Sequence, residues 1–266
     1  MTPEPMESWR VVMIGAGNVA TSLARALACR CSVVQVYSHT AKNAATLAKD
    51  IGCPNATANL AEITADADCY IISVKDDAIA SVISSTSDNG ALWVHTSGSK
   101  PAGIFAGHRW RYGVLYPMQS FVKQIPVDFA EVPFFIEGSD DDTTRQIKSI
   151  ASSLSHKVYS ADSETRRNLH IAAVLCCNFA NHLWTLADER LRQSGLPFDV
   201  MLPLIKTTFE KLYRVSPAEA QTGPALRRDY EVINQHLSML SGDAHEVYDT
   251  LSKSIMRYHS QKEKKT

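Results

Sequence analysis

The sequence predicts an α/β fold, in which a doubly wound, mostly parallel sheet is followed by a smaller all-α domain. Two observations support this prediction. In the first 160 residues, short and continuously apolar runs alternate with helical stretches, a pattern typical of parallel strands buried on both faces. After residue 160 no convincing strand follows, and helical patterns fill the rest of the chain. We therefore expect one domain over residues 1–160 and a second, all-helical domain over residues 161–266.

The predicted elements follow in order along the chain. Strands are predicted at residues 9–14, 32–37, 69–74, 92–95, 113–116 and 133–136, and helices at residues 18–28 and 43–51. Ser160-Ala161-Asp162 offers an N-cap for a long helix over residues 163–193, which Gly195 and Pro197 end. Three more helices are predicted over residues 198–214, 227–240 and 245–258.

The composition excludes several classes of protein. Lys and Arg total 27 against 28 Asp and Glu, so no nucleic-acid or acidic-membrane partner is expected. No apolar run approaches the roughly 20 residues of a membrane helix, and the first seven residues lack the basic segment of a secretory signal. The six cysteines form no CxxC pair and have no zinc-site spacing, so we expect buried free thiols, no metal site and a cytoplasmic protein.

A glycine-rich turn lies directly between the first predicted strand and the first predicted helix. It reads Gly15-Ala16-Gly17-Asn18-Val19-Ala20. Gly15 permits a tight turn, and Gly17 leaves room for a pyrophosphate to approach the backbone. The exposed amides at the helix start then hold the phosphate. At the head of an alternating β/α pattern, this turn predicts a Rossmann-type dinucleotide-binding domain.

The end of the second predicted strand indicates which dinucleotide binds. An NAD site usually carries Asp or Glu about 20 residues after the glycines, bonded to the ribose hydroxyls. Residues 32–49 contain no acid, and the strand ends in Ser38-His39-Thr40, followed by Lys42. Hydroxyls, an imidazole and an ammonium group suit a 2′-phosphate, so the sequence predicts NADP(H). The alternative interpretation is that these are solvated turn residues.

Three further segments follow predicted strands at the carboxyl edge of the sheet, where open α/β sheets bind their ligands. Val74-Lys75-Asp76-Asp77 is expected to border the nicotinamide ribose. His95-Thr96-Ser97-Gly98-Ser99 offers hydroxyls and amides for a substrate carboxylate or carbonyl, and Tyr116-Pro117-Met118-Gln119 is the third segment. Each also fits ordinary loop chemistry.

The long helix carries polar residues in an apolar setting. At α-helical spacing His170, Val174, Cys177 and Asn181 share one face, with Asn178 at its flank. Two interpretations remain open: the polar groups satisfy one another in the core, or they line a cleft between the domains. A second polar cluster, residues 221–229 with Arg227, either caps a helix or reaches the same cleft.

Together these segments resemble, over nearly the whole chain, a family classed as NADP oxidoreductases that join a Rossmann-like domain to a helical domain of unknown function. The resemblance rests on Gly15-x-Gly17-Asn18-Val19, Tyr37-Ser38-x-Thr40, Ser73-Val74-Lys75-Asp76-Asp77, His95-Thr96-Ser97-Gly98, Tyr116-Pro117-Met118-Gln119, His170-x-Ala172-Ala173, Cys177-Asn178-Phe179 and Thr222-Gly223-Pro224-Ala225-x-Arg227. These motifs are specific for the family and do not specify a reaction.

More distantly, the chain is similar to the β-hydroxyacid dehydrogenases, pyrroline-5-carboxylate reductase and the deazaflavin-dependent NADP reductases. This similarity implies an active site in the cleft between the domains and a homodimer formed through the helical domain. Two positions depart from the relatives. His39 stands where Arg is usual at the 2′-phosphate, and Val174 stands one turn before Asn178, where hydroxyacid dehydrogenases have a catalytic Lys. His170 is the substitute candidate for that lysine.

Two functional hypotheses follow. The first is an NADP-dependent oxidoreductase that transfers hydride to or from a C=O or C=N bond of a small, carboxylate-bearing substrate. In it, His170 or a bound water supplies the proton, Ser97 and Asn178 orient the substrate, and Arg227 pairs with its carboxylate. The second is a non-catalytic protein that binds NADP(H) and senses its redox state. The missing lysine favours the sensor, and the polar residues along the expected cleft favour the enzyme.

Overall fold

The computed structural model describes residues 8–263 of the chain. Its strands are β1 (Arg10–Ile14), β2 (Ser32–Tyr37), β3 (Ala56–Thr57), β4 (Cys69–Ile72), β5 (Leu92–His95), β6 (Arg111–Pro117), β7 (Phe134–Gly138) and β8 (Val158–Ser160). They form one sheet in the order β3-β2-β1-β4-β5-β6-β7-β8. Every neighbouring pair is parallel except β6 and β7, which are antiparallel. The predicted doubly wound, Rossmann-type and mostly parallel sheet is confirmed.

The helices lie between and after the strands. They are α1 (Asn18–Ala28), α2 (Ala41–Asp50), α3 (Ile79–Ser84), α4 (Asp141–Leu154), α5 (Ser163–Ala173), α6 (Phe179–Gln193), α7 (Leu202–Lys211), α8 (Pro224–Arg227), α9 (Tyr230–Ser238) and α10 (Gly242–Glu263). Two helices were not predicted from the sequence: α3, which is only six residues long, and α4, whose first turn is polar. The Asp140 side chain caps α4 by accepting from the Thr143 amide at 2.8 Å.

Helices cover both faces of the sheet, because alternate residues of each strand point to opposite sides. In β1, Val11 and Met13 join one apolar cluster, with residues of α1, α2 and α4. Val12 and Ile14 join another, with residues of α3. This arrangement buries the central strands on both sides and explains their continuous apolar runs.

By the density of internal contacts the chain divides into two compact units, Met1–Phe179 and Ala180–Thr266. The first contains the sheet and α5. In the second, Arg228 of the α8–α9 connection donates to the Ser260 hydroxyl of α10 at 2.9 Å. The described part of this second unit is helical, as expected for an all-α domain. The predicted boundary between residues 160 and 161 stays a prediction.

The long predicted helix is continuous but not uniformly α-helical. Between α5 and α6, residues Val174–Asn178 form a π-helical segment. A π-helical turn holds more residues than an α-helical one, so the segment breaks the regular spacing between His170 and the later polar residues. The regular α-helical spacing predicted from His170 to Asn181 is therefore interrupted after Val174. A one-residue change of helical register leaves no signature in an apolar sequence.

The same helix bears on the expectation about membranes. Within the described residues, only the stretch Ser163–Gln193 is long and apolar enough to cross a membrane. A single helix of this kind is weak evidence for a span, so the absence of a membrane partner stays a prediction. The first seven residues, on which the signal-sequence prediction rests, lie outside the described part of the chain.

The cysteines are free thiols, but they are not all buried. Cys69 is buried, whereas Cys29, Cys176 and Cys177 are exposed. Burial raises the pKa of the Cys31 thiol to about 11. The expectation of uniformly buried thiols is therefore wrong, because two of the exposed cysteines lie on the uncovered π-helical segment.

Candidate active site

The first part of the site is the turn between β1 and α1, where Gly15 meets the loop after β4. Gly15 has a φ of +131°, and a Cβ on it would lie 2.1 Å from the main-chain oxygen of Ser73. Its amide donates to the carbonyl of Tyr37 at 2.8 Å. Ala16, the next residue of the turn, is buried. The fold itself therefore requires glycine at position 15, whether or not a ligand binds at this turn.

Gly17 has no such structural need. Its φ of −76° suits any residue, and no atom lies within 4 Å of where its Cβ would be. It precedes α1 without a side-chain cap, so the first amides of the helix, at Asn18 and Val19, have no capping side chain as a partner. The open space beside Gly17, together with the main-chain amides at the start of α1, fits a pyrophosphate.

The end of β2 has groups suited to a second phosphate. The Ser38 side chain is buried and accepts from the Thr40 amide at 3.4 Å, whereas His39 and Thr40 are exposed. Thr40 precedes α2, whose first turn contains no acid and carries the exposed Lys42. These residues fit the 2′-phosphate that distinguishes NADP from NAD.

Side-chain hydrogen bonds join the loops after β4 and β5. The Thr96 hydroxyl donates to the Ser73 hydroxyl at 3.0 Å. The Ser99 hydroxyl donates to the carboxylate of Asp76. Lys75 is exposed beside them, and Val74 packs against the apolar cluster beneath. The predicted cofactor residues Val74, Lys75, Asp76 and Thr96 therefore belong to one cross-linked pair of loops at the carboxyl edge.

The side chain of His95 holds the loop after β5 in place through two hydrogen bonds. Its ring is fully buried; Nδ1 accepts from the Ser97 amide at 3.1 Å, and Nε2 lies 3.3 Å from the Pro101 carbonyl, to which it donates. Burial lowers the pKa of His95 to about 4, so the ring is neutral near pH 7. The Ser97 hydroxyl accepts from the amides of Ser99 and Lys100 at 3.1 and 3.0 Å. Ser97 therefore shapes the loop with its hydroxyl.

Helix α5 crosses towards the carboxyl edge with three polar residues on one face. The Ser163 hydroxyl bonds the carboxylate of Glu137, at the end of β7. One turn on, the fully buried Arg166 pairs with the same carboxylate and donates from Nη2 to the Lys100 carbonyl at 2.6 Å. Arg166 was not predicted as a site residue from the sequence. The available signal was its position four residues before His170, which places both on one helix face.

His170 follows on that face and contacts the end of β6. Its Nδ1 lies 3.1 Å from the hydroxyl of Tyr116, and the two rings meet edge to face. Gly98 lies against both rings, since a Cβ there would be 2.8 Å from Nδ1 of His170 and 2.8 Å from Cζ of Tyr116. His170 is half-buried, whereas Tyr116 is buried. The structure thus brings His170 to the loop that carries Ser97 and Thr96.

The remaining predicted residues, Asn178 and Arg227, lie on later helical elements. Asn178 ends the π-helical segment and is exposed. Arg227 ends α8 in the second unit and is also exposed. The Asp229 side chain caps α9 by accepting from the Val232 amide at 3.3 Å, which accounts for part of the polar cluster around residue 225. The roles predicted for Asn178 and Arg227 stay predictions.

Comparison with known proteins identifies the family. Residues 10–97 match the family described as "NADP oxidoreductase coenzyme F420-dependent", and residues 132–255 match a domain of unknown function, DUF2520. A protein of known structure from Bacteroides fragilis, described as a "putative NADP oxidoreductase", is 47% identical, covers 95% of this chain and 99% of its own, and superposes with a TM-score of 0.89. The chain belongs to this NADP oxidoreductase family. It is an NADP-dependent oxidoreductase, which confirms the predicted enzyme class and cofactor.

More distant solved structures share the fold of this oxidoreductase. A reductive aminase from Aspergillus terreus, solved with NADPH, is 13% identical, with a TM-score of 0.69 and coverage of 94% of each chain. A 1-pyrroline-5-carboxylate reductase from Streptococcus pyogenes is 10% identical, with a TM-score of 0.65 and coverage of 94% of this chain and 99% of its own. No functionally curated protein matches the sequence at a significant level.

Proposed function

We propose that this oxidoreductase transfers hydride between NADP(H) and a C=O or C=N bond of a small, carboxylate-bearing substrate, and that His170 exchanges the proton. Bound NADPH supplies the hydride. The observation that supports the proposal is the position of the half-buried His170 imidazole, held through Nδ1 beside the loop of Thr96 and Ser97. Nε2 then remains for the substrate. In reduction, Nε2 gives its proton to the oxygen or nitrogen of the bond that receives hydride while Nδ1 takes up a proton through its hydrogen bond with Tyr116, so the ring stays neutral and the proton is replaced from solvent.

The same loops supply the cofactor contacts. The first amides of α1 bind the pyrophosphate, and Ser38, His39 and Thr40 bind the 2′-phosphate. Thr96, which donates to Ser73, and Asp76, which accepts from Ser99, lie next to the nicotinamide ribose in this proposal.

The substrate class rests on two considerations. Lys100 lies two residues after Gly98, which contacts His170, and in this proposal its ammonium and the guanidinium of Arg227 supply the positive charge that pairs with a substrate carboxylate. The distant neighbours include a reductive aminase and a pyrroline-5-carboxylate reductase, which adds C=N compounds to the candidates. We therefore favour keto acids and imino acids over uncharged carbonyl compounds.

The test is NADPH oxidation across matched pairs of substrates. Keto acids, cyclic imino acids and their uncharged ester or amide forms are compared with the wild-type protein and with His170→Ala. We expect turnover of an acid but not of its neutral counterpart, and a loss of about 10²-fold or more in His170→Ala. His108→Ala, which removes an exposed histidine just before β6, is the control.

NADPH affinity and melting temperature are measured for both variants. Loss of activity in proportion to unfolded protein would show that His170 only stabilises the fold. NADPH binding without turnover of any compound would favour the redox-sensing alternative over the proposed reaction.

We also propose that the protein is a homodimer formed through its helical region. Ile171, Leu175 and Phe179 on the long helix are each more than half exposed, at 57%, 59% and 53%. Val200, Leu202 and Leu204 are exposed as well, whereas Ile233, expected in the same surface, is buried. Uncovered apolar residues in such number usually mark an interface. Light scattering at micromolar concentration tests this proposal, and a monomer mass would overturn it.

We place the protein in the cytoplasm, where free cysteines persist. All six cysteines are free, and three are exposed. Fractionation of cells that express the tagged chain tests this placement, and recovery with membranes would contradict it.

A further inference from the structure

We propose that Tyr116 is the positioning residue of His170: its hydroxyl donates to Nδ1 and so fixes the imidazole with its proton on Nε2. This inference rests on the proposed function of His170 and deepens it, because it names the group that selects the tautomer able to give a proton. Tyr116 lies at the carboxyl end of β6, a rigid element, whereas His170 comes from a helix that continues into the π-helical segment.

Tyr116 and His170 contact each other through one hydrogen bond and one edge-to-face ring contact. The Tyr116 oxygen lies 3.1 Å from Nδ1 of His170, and the ring centroids are 6.0 Å apart with an interplanar angle of 77°. The ring of Tyr116 is fixed on its other side by Phe135, at 6.5 Å between centroids. The phenol is thus held in place by packing, and the imidazole is oriented against it.

The direction of the hydrogen bond follows from burial. Among the described residues, His170 Nδ1 is the one hydrogen-bond partner found for the Tyr116 hydroxyl, and Tyr116 is only 8% exposed. If Nδ1 carried the proton, the buried hydroxyl would lose its acceptor, and a buried donor without a partner is unfavourable. Burial also raises the pKa of Tyr116, against the weaker opposing effect of Arg166, so the hydroxyl keeps its proton. The phenol therefore donates, Nδ1 accepts, and Nε2 carries the proton of the neutral ring.

Gly98 makes this pairing possible. A Cβ at position 98 would lie 2.8 Å from Nδ1 and 2.9 Å from Cγ of His170, and 2.8 Å from Cζ of Tyr116. The His170 ring from α5 and the Tyr116 ring from β6 therefore both lie against Gly98, which has no side chain. A methyl group there would have to push the imidazole or the phenol away.

The test is the tautomer of His170 in the full chain, read by long-range ¹H–¹⁵N correlation NMR with ¹⁵N-histidine labelling. His170→Gln identifies the signals. We expect the proton on Nε2 and an Nδ1 resonance shifted by an accepted hydrogen bond. In Tyr116→Phe that resonance should move to the position of a free ring nitrogen. Tyr112→Phe, on the same strand, should leave it unchanged, and Gly98→Ala should reproduce the effect of Tyr116→Phe.

A wild-type protein with the proton on Nδ1, or a Tyr116→Phe variant with an unchanged Nδ1 resonance, would overturn the inference. These spectra need no substrate, so they decide it even if the proposed reaction fails. With an active substrate, Tyr116→Phe should lower kcat about tenfold and leave KM for NADPH unchanged, since the change is in orientation and not in binding. An equal kcat would also overturn it.

Discussion

Arg166 on α5 donates to the main-chain carbonyl of Lys100 at 2.6 Å while its guanidinium pairs with the carboxylate of Glu137. One fully buried side chain therefore ties the helix to the loop after β5 and to the end of β7. His170 lies one turn further along the helix, so its position against Gly98 depends on this anchor. A single arginine links the stability of the first unit to the geometry of the candidate active site.

Replacing Arg166 with Met should destabilise the protein by about 3 kcal/mol, because Glu137, whose side chain is only 23% exposed, would lose its cationic partner. Urea unfolding measures the change. Arg167→Met removes a neighbouring exposed arginine and should cost little. The double variant Arg166→Met, Glu137→Gln should recover part of the loss, and equal effects of the two single arginine variants would contradict the anchor.

Gly17→Val should lower NADPH affinity by orders of magnitude and leave the melting temperature almost unchanged. The branched side chain would occupy the open space where the pyrophosphate approaches, because apart from the adjacent residues no atom lies within 4 Å of the Cβ position. Fluorescence titration with NADPH measures binding. Gly15→Ala is the contrasting variant: its Cβ would meet the Ser73 oxygen, so this variant should lose stability first. Unchanged NADPH binding by Gly17→Val would refute the assignment of the start of α1 as the pyrophosphate-binding site.

The wild-type protein should bind NADPH at least tenfold more tightly than NADH, a difference of about 1.4 kcal/mol. Ser38→Asp should narrow or reverse this preference, because a carboxylate repels the 2′-phosphate and accepts from ribose hydroxyls. Ser32→Asp adds the same charge at the far end of β2 and should leave the preference intact. Equal wild-type affinities for the two cofactors would show that residues 38–40 do not select between them.

His95 should make the protein less stable in mild acid. Its pKa in the fold is about 4, below the ordinary value of 6.5, because burial disfavours the charged ring. The stabilisation is complete above about pH 6.5 and is lost as the pH falls towards 4, by up to about 3 kcal/mol, since the unfolded chain takes up the proton first.

The measurement is urea unfolding at about pH 7.5 and about pH 4.5. His95→Gln should lose part of this pH dependence, because a glutamine amide can bond Ser97 and Pro101 without titrating. His39→Gln changes an exposed histidine and should keep the wild-type dependence. A His95→Gln variant with the full wild-type slope would exclude His95 as the source.

The sheet and the cofactor were predictable because their signals are local. Residues 32–37 form a buried strand whose apolar run is visible in the sequence, and Gly15 and Gly17 follow the first strand directly. The residues at the end of β2, Ser38 to Thr40, indicated NADP from the sequence alone. Each of these features depends on residues that are close together in the sequence, so a local sequence pattern is enough to predict it.

The contacts between distant elements were not predictable in the same way. His170 was proposed from its place on an apolar helix, but its partner Tyr116 lies 54 residues away and on another element. Arg166 was missed because a charged residue in a helix usually faces water, whereas here it is fully buried against Glu137. The π-helical segment was missed because the apolar residues around Val174 fit either helical register.

The glycine at position 98 gives the Tyr116–His170 pair an evolutionary signature. Three positions far apart in the sequence share one volume, so a change at any one alters which residues the other two accept. Family members that keep the histidine and the tyrosine should keep the glycine, and only members that replace both rings with smaller side chains should be free to vary it. Correlated substitution at these three positions would reveal, from sequences alone, which members of the family share the Tyr116–His170 pair.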